Sequence, residues 1–294
     1  MATFRAAILD KTPTLTGLSA SGAVEAEIRI VPGPPHAPEI RLLVIRKAGR
    51  SVSSRPCVYT VHGGGMIAGD FMLRSDALAE AVVEFDVVGI SVDYRLAPEN
   101  PFPAGVEDCY AGLEWVSRNA AELGIDPERI IMQGSSAGGG LALATVLLAR
   151  DRGGPAISHQ ILQCPMLDDR TAAGRLSDAS EAVVWDQISN RTGWYALLAD
   201  SLGGPNVSKY AAPARETLLA GLPITYIDVG QVETFRDEVI TLSRRLAAAG
   251  VRVEFHLWPG AWHGFDYTAP HAAISQLSNG VRHAFLARAV NRQD

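Results

Sequence analysis

The stretch RIIMQGSSAGGGLALATVLLAR, Arg129–Arg150, runs from an apolar segment through a glycine cluster into a longer apolar segment. A P-loop here needs G-x-x-x-x-G-K-[ST]. Gly134 and Gly139 have the spacing, but Gly140 stands where the lysine must be, so phosphates would find no cation. A dinucleotide loop needs G-x-G-x-x-G; Gly138 and Gly140 begin it, and Leu143 occupies the third glycine position. The pattern that survives is G-x-S-x-G, Gly134-Ser135-Ser136-Ala137-Gly138, with a β-rich run before it and a helical run after it. Its spacing has a steric reason. The central serine turns sharply from strand to helix on strained backbone, so the residues two before and two after must be small. Such a turn lifts the Ser136 hydroxyl above the sheet edge. It also leaves the Ala137 N–H, at a helix N-terminus, facing a developing oxyanion.

Outward from this turn the chain alternates. Glu25–Val31, Ile40–Arg46, Cys57–His62, Val87–Val92, Arg129–Gly134, His159–Cys164, Pro223–Gly230 and Val251–Trp258 read as strands. The first two alternate polar and apolar residues, as a half-exposed antiparallel pair would, with Pro32–Pro38 as the hairpin loop; the later ones are mostly apolar, as in strands covered on both faces. Helical patterns over Ser75–Phe85, Ala104–Gly124 and Thr234–Gly250 separate them, and a last helix is expected near His271–Val290. Thr234-x-x-Asp237 has the form of a capping box. The implied fold is α/β, an eight-stranded mostly parallel sheet with helices on both faces. Residues 168–222 lie between two strands and are too long for an ordinary connection, so an inserted helical cap is expected there. The division is then 1–24 as an N-terminal cap segment, 25–167 with 223–294 as the catalytic domain, and 168–222 as the inserted cap.

The 294 residues carry a net charge of −6 with no long run of either sign, which points to neither nucleic acid nor an anionic membrane. Cys57, Cys109 and Cys164 are widely spaced and form no C-x-x-C pair, so reduced thiols are expected rather than a disulfide framework or a zinc knuckle. Ile130–Ala149 is uncharged and long enough to span a bilayer. Its serines, Gln133 and glycines gather in the first half, which suits strand, turn and helix better. With no secretion signal in the opening residues, a cytoplasmic location is expected.

Three further segments complete a reaction centre. Val61–Gly65, VHGGG, ends an apolar strand, and consecutive glycines let backbone N–H groups point into a site uncovered by side chains. Gly64 and Gly65 are the candidate oxyanion donors beside Ala137. His62, at the end of its own strand, is expected to anchor the loop. The base comes late in the chain: His263, in the Gly-flanked loop of WPGAWHGFD, is the candidate to take the Ser136 proton and return it to the leaving group. The orienting acid belongs after the ITYIDVG strand, where Glu233, Asp237 and Glu238 compete. Asp237 and Glu238 fall in the first helical turn, where carboxylates favour the helix dipole. Glu233 in the loop is preferred, with Asp237 the runner-up.

With these residues placed, the chain resembles the hormone-sensitive-lipase family of α/β-hydrolase esterases. HGGG (His62–Gly65), YRLAPE (Tyr94–Glu99), GSSAGG (Gly134–Gly139), FRDE (Phe235–Glu238) and HGF (His263–Phe265) occur in the family's order over nearly the whole chain. Two positions depart from the family pattern. Ser135 stands where the family often has Asp before the nucleophile, and Glu233 stands where its acid is usually Asp. The resemblance implies a serine carboxylesterase acting on short-chain esters through an acyl-enzyme, with no metal or organic cofactor. It implies a cap that forms the substrate pocket, with Met66, Trp185 and Trp194 as expected lining residues and core packing as the alternative for the tryptophans. It also implies a homodimer joined through the sheet edge. An amide, a lactone or an acetylated small molecule as substrate, and a non-catalytic receptor on the same scaffold, remain the alternatives, although receptors of that kind typically lose the histidine kept here as His263.

Overall fold

The computed structural model describes residues 2–9, 12–49, 54–173 and 184–292. Eight strands form one sheet in the order β1-β2-β4-β3-β5-β6-β7-β8. They are β1 (Val24–Val31), β2 (Ile40–Lys47), β3 (Arg55–Val61), β4 (Val88–Asp93), β5 (Ile125–Ser135), β6 (His159–Gln163), β7 (Ile224–Gly230) and β8 (Val253–Trp258). β1 and β2 pair antiparallel, Val24 opposite Lys47 through Val31 opposite Ile40, and β2 pairs antiparallel with β4. Every remaining pair is parallel. The alternation read in the first two strands does not become one buried face: in β1 only Val24 and Val31 are buried while Ile28 and Ile30 are exposed at the sheet's edge, and Leu42–Ile45 of β2 are all buried because β2 is an interior strand with neighbours on both sides.

The helices are α1 (Ala2–Leu9), α2 (Leu15–Ser19), α3 (Ser75–Phe85), α4 (Ala104–Arg118), α5 (Ala120–Leu123) and α6 (Ala137–Arg152), followed by α7 (Arg170–Ala173), α8 (Gln187–Leu198), α9 (Arg236–Ala248), α10 (Phe265–Thr268) and α11 (Ala273–Asn291). The larger core joins one face of the sheet to residues of α4, α6 and α9, and a second core packs Leu78 and Val82 of α3 and Phe285 and Leu286 of α11 on the other face. α6 explains the bilayer-length apolar stretch: Ala137–Ala149 are all buried, as a helix apolar on every side must be when it sits inside a large domain. No described helix is long and apolar enough to cross a membrane.

Three local expectations are corrected. The helix read over Ala104–Gly124 breaks at Asn119, whose side-chain amide donates to Trp115 O at 2.8 Å and ends α4. β5 begins at Ile125, before the expected Arg129, because Ile125 pairs with Arg55 ahead of an irregularity in the register. Thr234 caps nothing: α9 starts at Arg236, and the Thr234 hydroxyl donates to the Trp185 carbonyl at 2.8 Å. Of the expected inserted cap, 168–222, residues 174–183 lie outside the described residues, as do 1, 10 and 11 of the N-terminal segment. The remainder contributes α7, α8 and two short 3₁₀ turns.

Candidate active site

The turn at Ser136 is built by its neighbours rather than by its own preferences. Ser136 has φ 57° and ψ −124°, a backbone conformation that costs an L-residue on the order of 1–3 kcal/mol. The cost is tolerated because the surroundings fix it. Its N–H donates to Gln163 O at 2.8 Å, and its carbonyl accepts from Gly139 at 3.0 Å and Met166 at 2.9 Å. A Cβ on Gly134 would sit 2.2 Å from the Gly138 carbonyl oxygen, and one on Gly138 would sit 2.2 Å from Val61 O and 2.4 Å from His62 O. The small residue before the serine is therefore demanded by the turn itself. The one after it is demanded by the end of β3, which passes against α6.

From the Ser136 hydroxyl a line of hydrogen bonds runs inward. Ser136 Oγ lies 3.0 Å from His263 Nε2, and His263 Nδ1 lies 3.1 Å from Glu233 Oε1. Glu233 Oε2 accepts from the Gly230 N–H at 3.0 Å, so the carboxylate is held at the end of β7. The additional methylene of glutamate is accommodated in that loop. Asp237, the runner-up, is exposed and pairs with Arg236 at 2.7 Å. Glu238 is buried and points elsewhere, accepting from Leu167 N at 2.7 Å and from the Thr171 hydroxyl at 3.1 Å. Asp228 stays on β7, bonded by Tyr226 at 2.9 Å and Trp258 at 3.2 Å.

The two histidines near the centre differ sharply. Burial pushes the His62 ring down to about 4. It is stacked on Tyr94 with centroids 4.2 Å apart, and its Nδ1 bonds the Gly63 carbonyl at 2.8 Å, as an anchor would. Burial also works against charging His263, but the adjoining Cys164 and Glu233 outweigh it and raise this ring well above the ordinary histidine range. Cys164 is the residue sequence reasoning passed over. Its sulfur lies with one His263 nitrogen and one Glu233 oxygen in a group whose atoms are all within 4.8 Å of one another. Its position directly after β6, the strand beside the serine-bearing β5, was the available signal. Cys57 and Cys109 are buried in the core and all three thiols are free.

The HGGG loop carries φ of 115° at Gly64 and 64° at Gly65, which a side chain would strain. The Gly64 carbonyl accepts from Ile67 and Ala68, while the N–H groups of Gly64, Gly65 and Ala137 donate to no protein group among the described residues. YRLAPE acquires a physical role here. Tyr94 donates to His62 O at 2.9 Å, Ala97 N donates to Met66 O at 2.9 Å, and Arg95 makes two 2.8 Å bonds to the buried Asp108. Glu99 pairs with Arg5 of α1 at 2.7 Å. The motif thus props the glycine loop and ties the N-terminal helix to it.

A cavity of about 570 Å³ opens at Ser136. Its wall includes the apolar Phe4, Ile8, Val184 and Trp185 and the polar Arg74, Glu80, Asn279, Arg282 and Ser135. Trp185 lines the cavity, its ring lying where a Cβ on Gly65 would be only 2.2 Å away. The other two expected lining residues are placed elsewhere. Met66 packs in the core, directly beyond the positive-φ glycines that turn the chain inward, and Trp194 is wholly buried on the inner face of α8.

The family described as alpha/beta hydrolase fold matches residues 58–267. The chain belongs to this family. Within it, the chain falls among the esterases resembling hormone-sensitive lipase. It is 35% identical over 275 residues to Esterase LipI of Mycobacterium tuberculosis, covering 87% of this chain and 85% of the relative. It is 34% identical over 238 residues to Carboxylesterase NlhH of the same species, covering 80% of this chain and 74% of the relative. Among solved structures, Bacterial Heroin Esterase superposes with a TM-score of 0.86 at 32% identity, over 98% of this chain and 97% of that one. Esterase LipW from Mycobacterium marinum superposes at 0.84 with 31% identity, over 98% and 89%. This α/β-hydrolase is a carboxylic ester hydrolase.

Proposed function

We propose that the enzyme hydrolyses short-chain carboxylic esters through an acyl-enzyme on Ser136. The observation that carries this is the unbroken line from a strained Ser136 through His263 to a buried Glu233, at 3.0 and 3.1 Å. His263 Nε2 takes the hydroxyl proton as Ser136 Oγ attacks the ester carbonyl, and Glu233 holds the ring in the tautomer with hydrogen on Nδ1. The N–H groups of Gly64, Gly65 and Ala137 receive the negative charge that develops on the carbonyl oxygen, each such donor contributing roughly a hundred- to a thousand-fold in rate. His263 then protonates the departing alcohol, and water, activated by the same ring, releases the acid. The acyl and alcohol parts share one cavity of about 570 Å³, which favours small acyl groups.

The described parts of 1–24 and 168–222 act as the cap over this cavity, supported by Phe4 and Trp185 in its wall. Three free cysteines suit a reducing compartment, so the same reading places the enzyme in the cytoplasm. β8, one of the sheet's two edge strands, is the surface through which two copies would pair, a mass of twice 31.3 kDa by light scattering. The central test is hydrolysis of p-nitrophenyl acetate, butyrate and octanoate by wild type and by folded Ser136→Ala. Turnover that is highest on the shorter esters and lost in the variant supports the reading. A variant that keeps its rate, or a wild type inert to all three, rejects it.

A further inference from the structure

Cys164 is the group beside the reaction centre to which ester hydrolysis gives no task. It follows β6 with φ 34°, in the left-handed region that a cysteine seldom adopts. Its N–H is fixed to Asp228 O at 2.9 Å. The sulfur lies beside His263 and Glu233. Among the described residues, these three side chains are the sole group of three or more Cys, His, Asp and Glu whose ligand atoms all lie within 4.8 Å of one another.

Thiolate sulfur, imidazole nitrogen and carboxylate oxygen are the three ligand types that zinc takes from proteins, at about 2.0–2.3 Å. Ligands at those lengths around a tetrahedral ion stand about 3.3–3.8 Å apart. The group here needs to contract by about 1.5 Å at most, within reach of a side-chain rotation of Cys164. A fourth corner would stay open for water.

We propose that Cys164, His263 and Glu233 form a binding site for zinc or a comparably thiophilic divalent cation, and that filling it reversibly stops hydrolysis. The cation takes an imidazole lone pair. If it takes Nε2, the ring cannot accept the Ser136 proton; if it takes Nδ1, the bond to Glu233 is lost. Either way the relay is broken. The thiol proton leaves to solvent as the metal–sulfur bond forms, and a chelator reverses the exchange. Thiolate selects zinc or cadmium, and magnesium finds too few oxygen ligands.

The test uses the full chain, reduced and freed of metal. Zinc chloride is titrated into wild type and Cys164→Ala during hydrolysis of p-nitrophenyl butyrate, each referred to its own zinc-free rate. Cobalt(II) is added separately to wild type, Ser136→Ala and Cys164→Ala, and the near-ultraviolet thiolate-to-cobalt absorption is recorded. The expected result is zinc inhibition of wild type, reversed by EDTA and absent with magnesium. Half-inhibition of Cys164→Ala should need at least about tenfold more zinc. The thiolate band should appear in wild type and in Ser136→Ala and be absent from Cys164→Ala. Equal zinc sensitivity of the two enzymes overturns the proposal, as does cobalt binding without a thiolate band or zinc binding that leaves the rate untouched. Should Cys164→Ala not fold, Cys164→Ser replaces it. The cobalt spectrum needs no turnover, so failure of the esterase reading and failure of the metal site are told apart.

Discussion

Two regions meet over the cavity and are held in different ways. Around Ser136 the chain is fixed by backbone: a carbonyl of Gly138 against Gly134, carbonyls of Val61 and His62 against Gly138, and N–H groups left uncovered by glycine. In the segment after β6 the chain is fixed by buried charge. Asp169, wholly buried, takes Arg215 through bonds of 2.6 and 2.9 Å. Glu216 gathers Arg150 at 2.8 Å and Lys209 at 2.7 Å, while Glu238 reaches across from α9 to Leu167 and Thr171. The first region tolerates no added atom and the second tolerates no lost partner. Substitutions should therefore damage rate in one and stability in the other.

The largest break is Ser136→Ala. Removing the proposed attacking oxygen should lower kcat by roughly 10⁵-fold or more, leaving the small residual catalysis of the proposed oxyanion donors, with the melting temperature retained or raised as backbone strain is kept but a polar group is lost. A burst assay that still shows acyl-enzyme would place the nucleophile elsewhere. Next comes the acid. Glu233→Gln should cost about 10³–10⁴-fold in kcat because a neutral amide allows the wrong imidazole tautomer. Asp237→Asn, changing an exposed ion pair, should change kcat less than about twofold. Equal losses in the two would undo the assignment.

Gly138→Ala sharpens the steric half of the comparison. The new Cβ meets Val61 O at 2.2 Å, so β3 and the glycine loop behind it must move. The expected outcome is a roughly hundredfold fall in kcat, as when an oxyanion donor is misplaced, with little change in KM. Asp169→Leu is its counterpart. It leaves Arg215 buried without its partner and should lower unfolding free energy by about 3–5 kcal/mol in a denaturant titration. The rate of the fraction still folded should stay within about threefold of wild type. A stable Asp169→Leu that is catalytically dead would mean that the insertion shapes the chemistry rather than covering it.

This difference also explains what could be read without coordinates. The turn at Ser136, the glycine loop and the Gly-flanked His263 are written in contiguous residues, because backbone strain is relieved only by the residue at that position. Glu233 over Asp237 followed from its loop position. The insertion was legible only as length. Asp169 meets Arg215, and Asp151 meets Lys209, across 46 and 58 residues respectively, and no local pattern encodes those partners. Trp194 and Trp185 look alike in sequence, and only packing sends the first into the core and the second into the cavity wall. Thr234 shows the same limit. Its spacing to Asp237 has the form of a capping box, yet its hydroxyl serves the Trp185 carbonyl, a tertiary partner 49 residues away.

The smallest effect concerns the two buried histidines. His62 bonds a backbone carbonyl and stacks on a tyrosine, and burial takes it down to about 4, so it is neutral throughout the working range. His263 is just as deeply placed, but Cys164 and Glu233 stand against it and raise it above 6.5. In the proposed mechanism the ring accepts the Ser136 proton only when neutral. The rate must therefore climb as pH rises through the His263 value, not fall. kcat/KM for p-nitrophenyl butyrate should follow a single deprotonation whose midpoint lies above the 6.5 of an unperturbed ring. His62→Asn should leave that midpoint in place while lowering kcat through a loosened glycine loop. A midpoint below 6.5 in wild type would mean that burial outweighs the carboxylate at His263 as it does at His62, and that Glu233 orients the ring without holding its proton.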